Sequence, residues 1–191
     1  TTATCTNLPA GVYSVTVSDA KGCKDSIECF IKQPSDCNGF RTQTQGGWGS
    51  VPHGGNPGSY LHANFAAAFP NGLEIGCTNK LRLTSAQAVT DFIPSGSTAS
   101  ALPAGTLVDP AGTYRNVFAG QVVALTLSLT FDAYDPNFAL AYGNLKDLYV
   151  LNGPFSGKTV LFVYNEALKA IGGCSSAYSI SDLAKLLVNV E

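Results

Sequence analysis

The chain has 191 residues, of which 45% are hydrophobic and only 13% charged, and its formal net charge is −2. A chain of this length can bury a substantial core and fits one medium-sized unit with a smaller one. The 11 lysine and arginine residues form no cluster, which excludes a basic footprint for nucleic acid. No apolar run reaches the roughly 20 residues of a transmembrane helix, so we expect no membrane insertion.

Residues 1 to 33 alternate apolar and polar side chains between glycine-containing turns. Residues 12 to 17 and residues 27 to 31 have the period of two that is typical of strands, and the turn at residues 19 to 22 separates them. The pattern predicts an antiparallel meander of about three strands.

The segment LPAGVYSVTVSDAKGC resembles the end of the SprB-type repeat, an immunoglobulin-like module found in tandem along surface adhesins of Bacteroidota. The matching elements, in order, are LPAG at residues 8 to 11, YxVxV at residues 13 to 17 and DAxGC at residues 19 to 23. The resemblance implies surface display and a partial immunoglobulin-like fold. Because a sandwich needs roughly seven strands, either a longer polypeptide or another segment is expected to supply the missing ones.

Residues 115 to 135 form the longest nearly charge-free apolar run, which must be buried in a soluble protein. Leu125, Leu127 and Leu129 alternate as in a strand, whereas Val122, Leu125 and Leu129 recur at helical spacing. The run is much longer than an ordinary strand of about five or six residues, which favours a buried helix.

The remaining sequence, residues 34 to 191, is expected to form a globular unit of mainly helical α+β structure with long glycine-rich loops. The expected elements are helices at residues 62 to 69, 84 to 92, 160 to 171 and 180 to 190, a strand at 145 to 151 and an exposed loop at 95 to 112. This unit loosely resembles uncharacterised modules of Bacteroidota surface proteins, through its Cys37 to Trp48 element and GPFSGKTV at residues 153 to 160. That resemblance implies no activity.

The chain contains six cysteines, without a Cys-x-x-Cys pair, and only two histidines. The cysteines are Cys5, Cys23, Cys29, Cys37, Cys77 and Cys174. These residues provide few ligands for a zinc site. An even number of cysteines in a chain without methionine favours disulfides in an oxidising, extracellular setting. We expect the pairs Cys5–Cys29 and Cys77–Cys174, with Cys23 and Cys37 as further disulfide candidates, although sequence alone does not fix connectivity.

A possible calcium site follows the apolar run at Asp132, Asp135 and Asn137, whose oxygens suit a hard cation. The spacing is not that of an EF-hand, and a solvated helix end is the alternative. No other cofactor is expected. Residues 153 to 159 approach a phosphate loop but have three residues between the glycines where the motif needs four, which favours a structural turn.

An aromatic, glycine-rich loop predicts a contact surface formed by Trp48, His53 and Tyr60, suited to self-association, surface glycans or cell-surface proteins. Ser26 lies in an Asp-Ser-Ile sequence similar to O-glycosylation sites of Bacteroidota surface proteins, although an unmodified strand is an equal alternative.

The function expected from the sequence is structural or adhesive, as a subunit or segment of an extracellular bacterial filament, hook or adhesin that forms homo-oligomers. Neither a Ser-His-Asp order nor a Gly-x-Ser-x-Gly elbow occurs, so we expect no enzyme activity. The alternative is a carbohydrate-binding or hydrolase-associated module of a secreted protein.

Overall fold

The computed structural model of the chain describes residues 11 to 31, 39 to 141 and 143 to 190. The chain divides into two compact units, residues 1 to 38 and residues 39 to 191. Its described residues confirm the mixed α+β class, with helices and two small sheets. The predicted boundary between residues 33 and 34 falls within a range outside the described residues.

The described residues form five strands and six helices. The strands β1 to β5 are Gly11–Ser18, Lys24–Ile31, Leu73–Gly76, Lys80–Leu83 and Thr106–Val108. The helices α1 to α6 are Gln45–Trp48, Pro57–Ala68, Ala86–Phe92, Val117–Tyr134, Val160–Ile171 and Ile180–Val190. Short 3-10 turns lie at Ala111–Thr113, Leu145–Asp147 and Gly153–Phe155.

In the first unit, β1 and β2 form an antiparallel hairpin in which Val15 lies opposite Ile27. Its turn is closed by two backbone bonds, from Asp19 N–H to the Cys23 carbonyl and from Gly22 N–H to the Asp19 carbonyl. Gly22 has φ +84°, which a residue without Cβ adopts without steric cost. The two predicted strands are therefore confirmed, with β2 beginning three residues before residue 27.

Helix α4 forms the centre of the second unit, which confirms the helical interpretation of the long apolar run. The helix contacts α5, α6, α1 and β3, and 12 of its 18 residues are buried. By length and hydropathy alone α4 would suffice to cross a membrane, but 67% of that window is enclosed by the rest of the unit. This is the environment of a core helix.

A three-stranded sheet in the order β3-β4-β5 packs beside this helix, with β3 antiparallel and β5 parallel to β4. Alternate residues of β3 and β4 face the core. The four buried side chains are Leu73, Ile75, Leu81 and Leu83. The sequence does not predict this sheet, because its strands have only three or four residues each, shorter than the roughly five or six that make a period visible.

Two expectations for irregular segments are wrong. The loop at residues 95 to 112 is not wholly exposed: Leu102 is buried, its N–H donates to the Ile171 carbonyl, and β5 lies within the segment. The strand expected at residues 145 to 151 begins instead as a 3-10 turn, and its one strand contact is a bridge between Tyr149 and Thr159.

The predicted helices are confirmed in kind, and local capping fixes their ends. Helix α2 begins at Pro57, five residues before the expected start, because the Asn56 side chain accepts the Ser59 N–H at 2.8 Å. Ser85 caps α3, which begins at Ala86, two residues after the expected start, and the predicted spans of α5 and α6 agree with the structure.

The disulfide Cys77–Cys174 is confirmed. It joins the turn between β3 and β4 to the segment after α5, across a sequence separation of 97 residues. A Cβ at Gly172 would meet the Cys77 backbone, so the two segments approach closely only because residue 172 is glycine. Cys5 and Cys37 lie outside the described residues, which leaves the Cys5–Cys29 pairing a prediction, and Cys23 is an exposed free cysteine.

The buried carboxylate of Glu166 also holds the segment that follows α5. One oxygen of Glu166 accepts the Lys169 ammonium at 2.6 Å, and the other accepts the Ser176 hydroxyl at 2.8 Å and the Ala177 N–H at 3.0 Å. The Glu166 side chain is only 7% exposed. The bonds from Lys169 and then Ser176 lower the pKa of this carboxyl below its ordinary value, because they favour the charged form.

We expect the Cys77→Ser/Cys174→Ser double variant to lose about 2–5 kcal/mol of unfolding free energy, because the bond restricts a long loop in the unfolded chain. Denaturant titration followed by tryptophan fluorescence measures it. Cys23→Ser is the control and should leave the midpoint unchanged, since this thiol is exposed and free. Equal stability of the double variant and the native chain would contradict the prediction.

Glu166→Gln should lower the unfolding free energy by about 1–3 kcal/mol at pH 7. Because the pKa of Glu166 is lowered in the folded chain, this stabilisation is present above about pH 4.5 and disappears as pH falls through the folded value. The native chain and the variant should therefore converge in acid. The matched control is Glu74→Gln, whose ion pair with Lys80 has the same 2.6 Å length but is exposed, so a change below about 0.5 kcal/mol is expected. Parallel profiles for the native chain and Glu166→Gln would refute the assignment.

Candidate functional site

An aromatic cluster fills the space between α1, α2 and the C-terminal part of α4. Its members are Trp48, Tyr60, Phe69, Phe131 and Phe138. The Trp48 ring stacks on Phe138 at 6.1 Å and lies 5.3 Å from Phe131, and its indole N–H donates to the Ser128 hydroxyl at 3.3 Å. The cluster is thus part of the core.

The expectation that Trp48 is an exposed contact residue is therefore wrong, since its side chain is 0% exposed. Two of the surrounding glycines allow close packing, whereas Gly54 and Gly55 lie in an exposed turn. A Cβ at Gly49 would meet the Ile93 carbonyl, and one at Gly58 would meet the Ser50 carbonyl. The sequence signal was an aromatic residue among glycines, and it was interpreted as a surface loop that presents this residue to a partner.

The other two residues of the predicted contact surface have different environments. His53 is exposed in the turn before α2, where its backbone N–H donates to the Asn56 side chain at 3.3 Å. Tyr60 is half-buried in the aromatic cluster. The three residues do not form one exposed surface, although contact by His53 stays a prediction.

Tyr60 and Asp135 form the main polar contact at the edge of the cluster. The Tyr60 hydroxyl donates to an Asp135 carboxylate oxygen at 2.7 Å, and the Arg41 guanidinium lies 5.0 Å from the Tyr60 ring and 4.9 Å from that of Phe138. Burial and then the bond to Asp135 raise the pKa of Tyr60, while the same bond lowers the pKa of Asp135. At neutral pH the tyrosine is a neutral donor and the aspartate a charged acceptor.

A small cleft of about 240 Å³ adjoins this contact at the end of α4. Its polar lining includes Asp132, Asp135 and Asn144, and the remaining residues are mostly small. One Asp132 oxygen accepts the Leu145 N–H at 2.8 Å, and one Asp135 oxygen accepts the Asn137 N–H at 2.9 Å. Through these bonds the two carboxylates hold the chain that follows α4 close to the end of the helix.

For the predicted calcium ligands, the cleft brings Asp132 and Asp135 together, and Asn137 is not part of its lining. Both oxygens of Asp135 already accept hydrogen bonds, from Tyr60 and from the Asn137 backbone. Across residues 11 to 31, 39 to 141 and 143 to 190, no group of three or more histidine, cysteine, aspartate or glutamate side chains is arranged to hold a metal. Calcium binding stays a prediction.

Local structure accounts for the second histidine of the chain and for the loop that approaches the phosphate-loop motif. His62 Nε2 lies 2.9 Å from the Thr90 hydroxyl, so this histidine joins α2 to α3. In the loop at residues 153 to 159, the Gly157 N–H donates to the Val150 carbonyl and the Lys158 N–H to the Phe155 carbonyl. N–H groups that serve the turn in this way are not free to cradle a phosphate.

The hairpin of the first unit presents an exposed apolar face. Val15 is 46% exposed, Val17 65% and Ile27 69%, and the register places all three on one side of the two strands. Ser26 is exposed on the opposite side, opposite Thr16. Asp25, opposite Val17, is exposed on the same side near the turn. Apolar side chains open to water on a sheet face are typical of a surface that another layer covers.

Comparison with family models, curated proteins and solved structures finds no match to this chain.

The variant Trp48→Ala should lower the unfolding free energy by about 3–5 kcal/mol, because it leaves a cavity in the core. Val51→Ala, in the same segment but 76% exposed, is the control and should change stability by less than about 0.5 kcal/mol. Thermal and denaturant unfolding of both variants measure the difference. A Trp48→Ala variant with native stability would show that the indole is dispensable to the core.

Proposed function

We propose that this chain is an extracellular structural or adhesive surface protein that assembles with copies of itself. The observation that carries the proposal is the open apolar face of the β1–β2 hairpin, with Val15, Val17 and Ile27 exposed. Covering a valine or isoleucine side chain contributes about 1.5–3 kcal/mol relative to leaving it in water. A hairpin of two strands is also marginally stable by itself, so a second layer adds to both folding and association.

Two features of the chain support an extracellular, self-packing role. The Cys77–Cys174 disulfide is compatible with an oxidising compartment, where such bonds persist. Charged residues make up only 13% of the sequence, so little electrostatic repulsion opposes contact between copies. An open filament, such as a hook, and a closed ring both meet these conditions, because a head-to-tail contact gives one or the other according to its rotation.

The proposed fold of the first unit is a partial immunoglobulin-like sheet of the SprB type. In that fold, the apolar face of one sheet packs against a second sheet at a spacing of about 10 Å. The hairpin register, with alternate apolar residues on one face, is consistent with this arrangement. O-glycosylation at Ser26 is a further proposal, supported by the exposure of this residue.

Carbohydrate binding is the second candidate function, and the cleft at the end of α4 is the place for it. The carboxylates of Asp132 and Asp135 could accept hydrogen bonds from sugar hydroxyls. At about 240 Å³ the cleft is smaller than the roughly 300–1,000 Å³ of most ligand sites. Binding of the native chain, but not of Asp132→Ala, on a glycan array would favour this candidate.

The test of self-assembly is sedimentation velocity of the full chain over a wide concentration range. We expect species larger than the 19.8 kDa monomer, and weakening of association by about tenfold or more in Val15→Thr/Ile27→Thr, because hydroxyls replace methyls on the open face. Val51→Thr makes the same chemical change at an exposed site of the second unit and serves as the control. A monomer at every concentration would refute the proposal.

A further inference from the structure

The outer edge of β2 carries backbone groups that point away from β1. Hydrogen-bonded and non-hydrogen-bonded pairs alternate along an antiparallel ladder. The bond from Asp19 N–H to the Cys23 carbonyl makes this pair hydrogen-bonded. The alternation then directs the N–H and C=O groups of Lys24, Ser26 and Glu28 outward.

A side-chain contact supports this assignment independently. The Ser26 N–H donates to the Asp25 carboxylate at 2.9 Å and is therefore not directed at the neighbouring strand. The carboxylate of an adjacent residue is a replaceable acceptor, because Asp25 is exposed and water can solvate it when it rotates away. Among the described residues of the first unit, no strand other than β1 pairs with β2, so this edge can accept a partner strand that supplies a carbonyl at this position.

The charges along this edge are complementary to themselves. Lys24 and Glu28 lie two residues on either side of Ser26, and both are exposed on the same face as Ser26. If two β2 strands pair antiparallel with Ser26 opposite Ser26, then Lys24 of each copy lies directly opposite Glu28 of the other. The outward backbone groups of residues 24, 26 and 28 match in the same register.

The outer edge of β1 lacks this complementarity. By the same alternation its outward groups belong to Ser14, Thr16 and Ser18, and none of these side chains is charged. Pairing through β1 would form backbone bonds without opposite charges to select a register. Charge therefore favours β2.

We propose that two copies of this chain join through antiparallel pairing of their β2 strands, with Ser26 on the two-fold axis and Lys24 of each copy paired with Glu28 of the other. The inference rests on the proposed self-assembly and adds to the covered apolar face a second contact between copies, at the strand edge. The product is a continuous four-stranded sheet in which both open apolar faces lie on the same side, since the axis is perpendicular to the sheet. Glycans on both Ser26 side chains would clash across the axis, so pairing and glycosylation at Ser26 exclude each other.

Charge reversal tests the register in the full chain. Lys24→Glu and Glu28→Lys should each weaken association by about tenfold, because each places like charges opposite one another at two symmetric positions. The double variant Lys24→Glu/Glu28→Lys should restore native association, since it exchanges the two charges and keeps them opposite. Sedimentation velocity measures all three. Failure of the double variant to recover, or native association of both single variants, would overturn the register.

Cross-linking tests the strand edge. In a Cys23→Ser background, Ser26→Cys should link to its copy through a short bismaleimide, because paired residues have Cα atoms about 5.5 Å apart. Thr16→Cys is the matched control, and three strand spacings of about 4.8 Å separate it from its copy in the proposed sheet. The Cys23→Ser parent gives the baseline, and peptide mapping locates the link.

The outcomes separate this inference from the proposed function. Cross-linking at residue 26, together with recovery in the double charge variant, supports the pairing. If the native chain associates but links through residue 16, or through neither residue, the β2 pairing is wrong and self-assembly stands. If the native chain is a monomer at every concentration, both fail.

Discussion

Helix α4 begins inside the protein, so its first N–H groups need acceptors that water cannot supply. Asn116 is fully buried, and its side-chain oxygen accepts the N–H groups of both Phe118 and Ala119. The Asn116 N–H in turn donates to the Ser95 hydroxyl, and the Ser95 N–H donates to the Gln45 side chain. The start of the central helix is thus tied to two distant segments by buried hydrogen bonds.

Buried side-chain donors also need hydrogen-bond partners, and this need explains how polar residues fit within the apolar helix α4. The Thr126 and Ser128 hydroxyls donate to the carbonyls one turn earlier, Val122 and Ala124. Ser128 also accepts the Trp48 indole N–H, so a hydroxyl in the helix gives this large ring a hydrogen-bond partner in the core. Removal of such a partner would leave a buried donor unsatisfied, at a cost of about 1–3 kcal/mol.

The elements that could be predicted from the sequence have long apolar runs or clear signals at their ends. Helix α4 was recognised from the length of its apolar run, and α5 from its apolar face and the glycine pair after Ile171. The sheet of β3, β4 and β5 was not, because three or four residues are too few to show a period, and its pairing depends on contacts distant in sequence. Trp48 was misplaced because glycines near an aromatic residue suit a surface loop as well as a close approach of two backbones.

The span between Cys77 and Cys174 includes β4, α3, β5, α4 and α5. A protease that cuts the chain once anywhere in this span produces two fragments that remain covalently joined. The segment at residues 96 to 101 is mostly exposed and rich in serine, as cleavage sites often are. Nicking there would leave the pieces held together by the bond and by the packing around α4. Separation of the two fragments would require reduction of the disulfide as well as loss of the packing around α4.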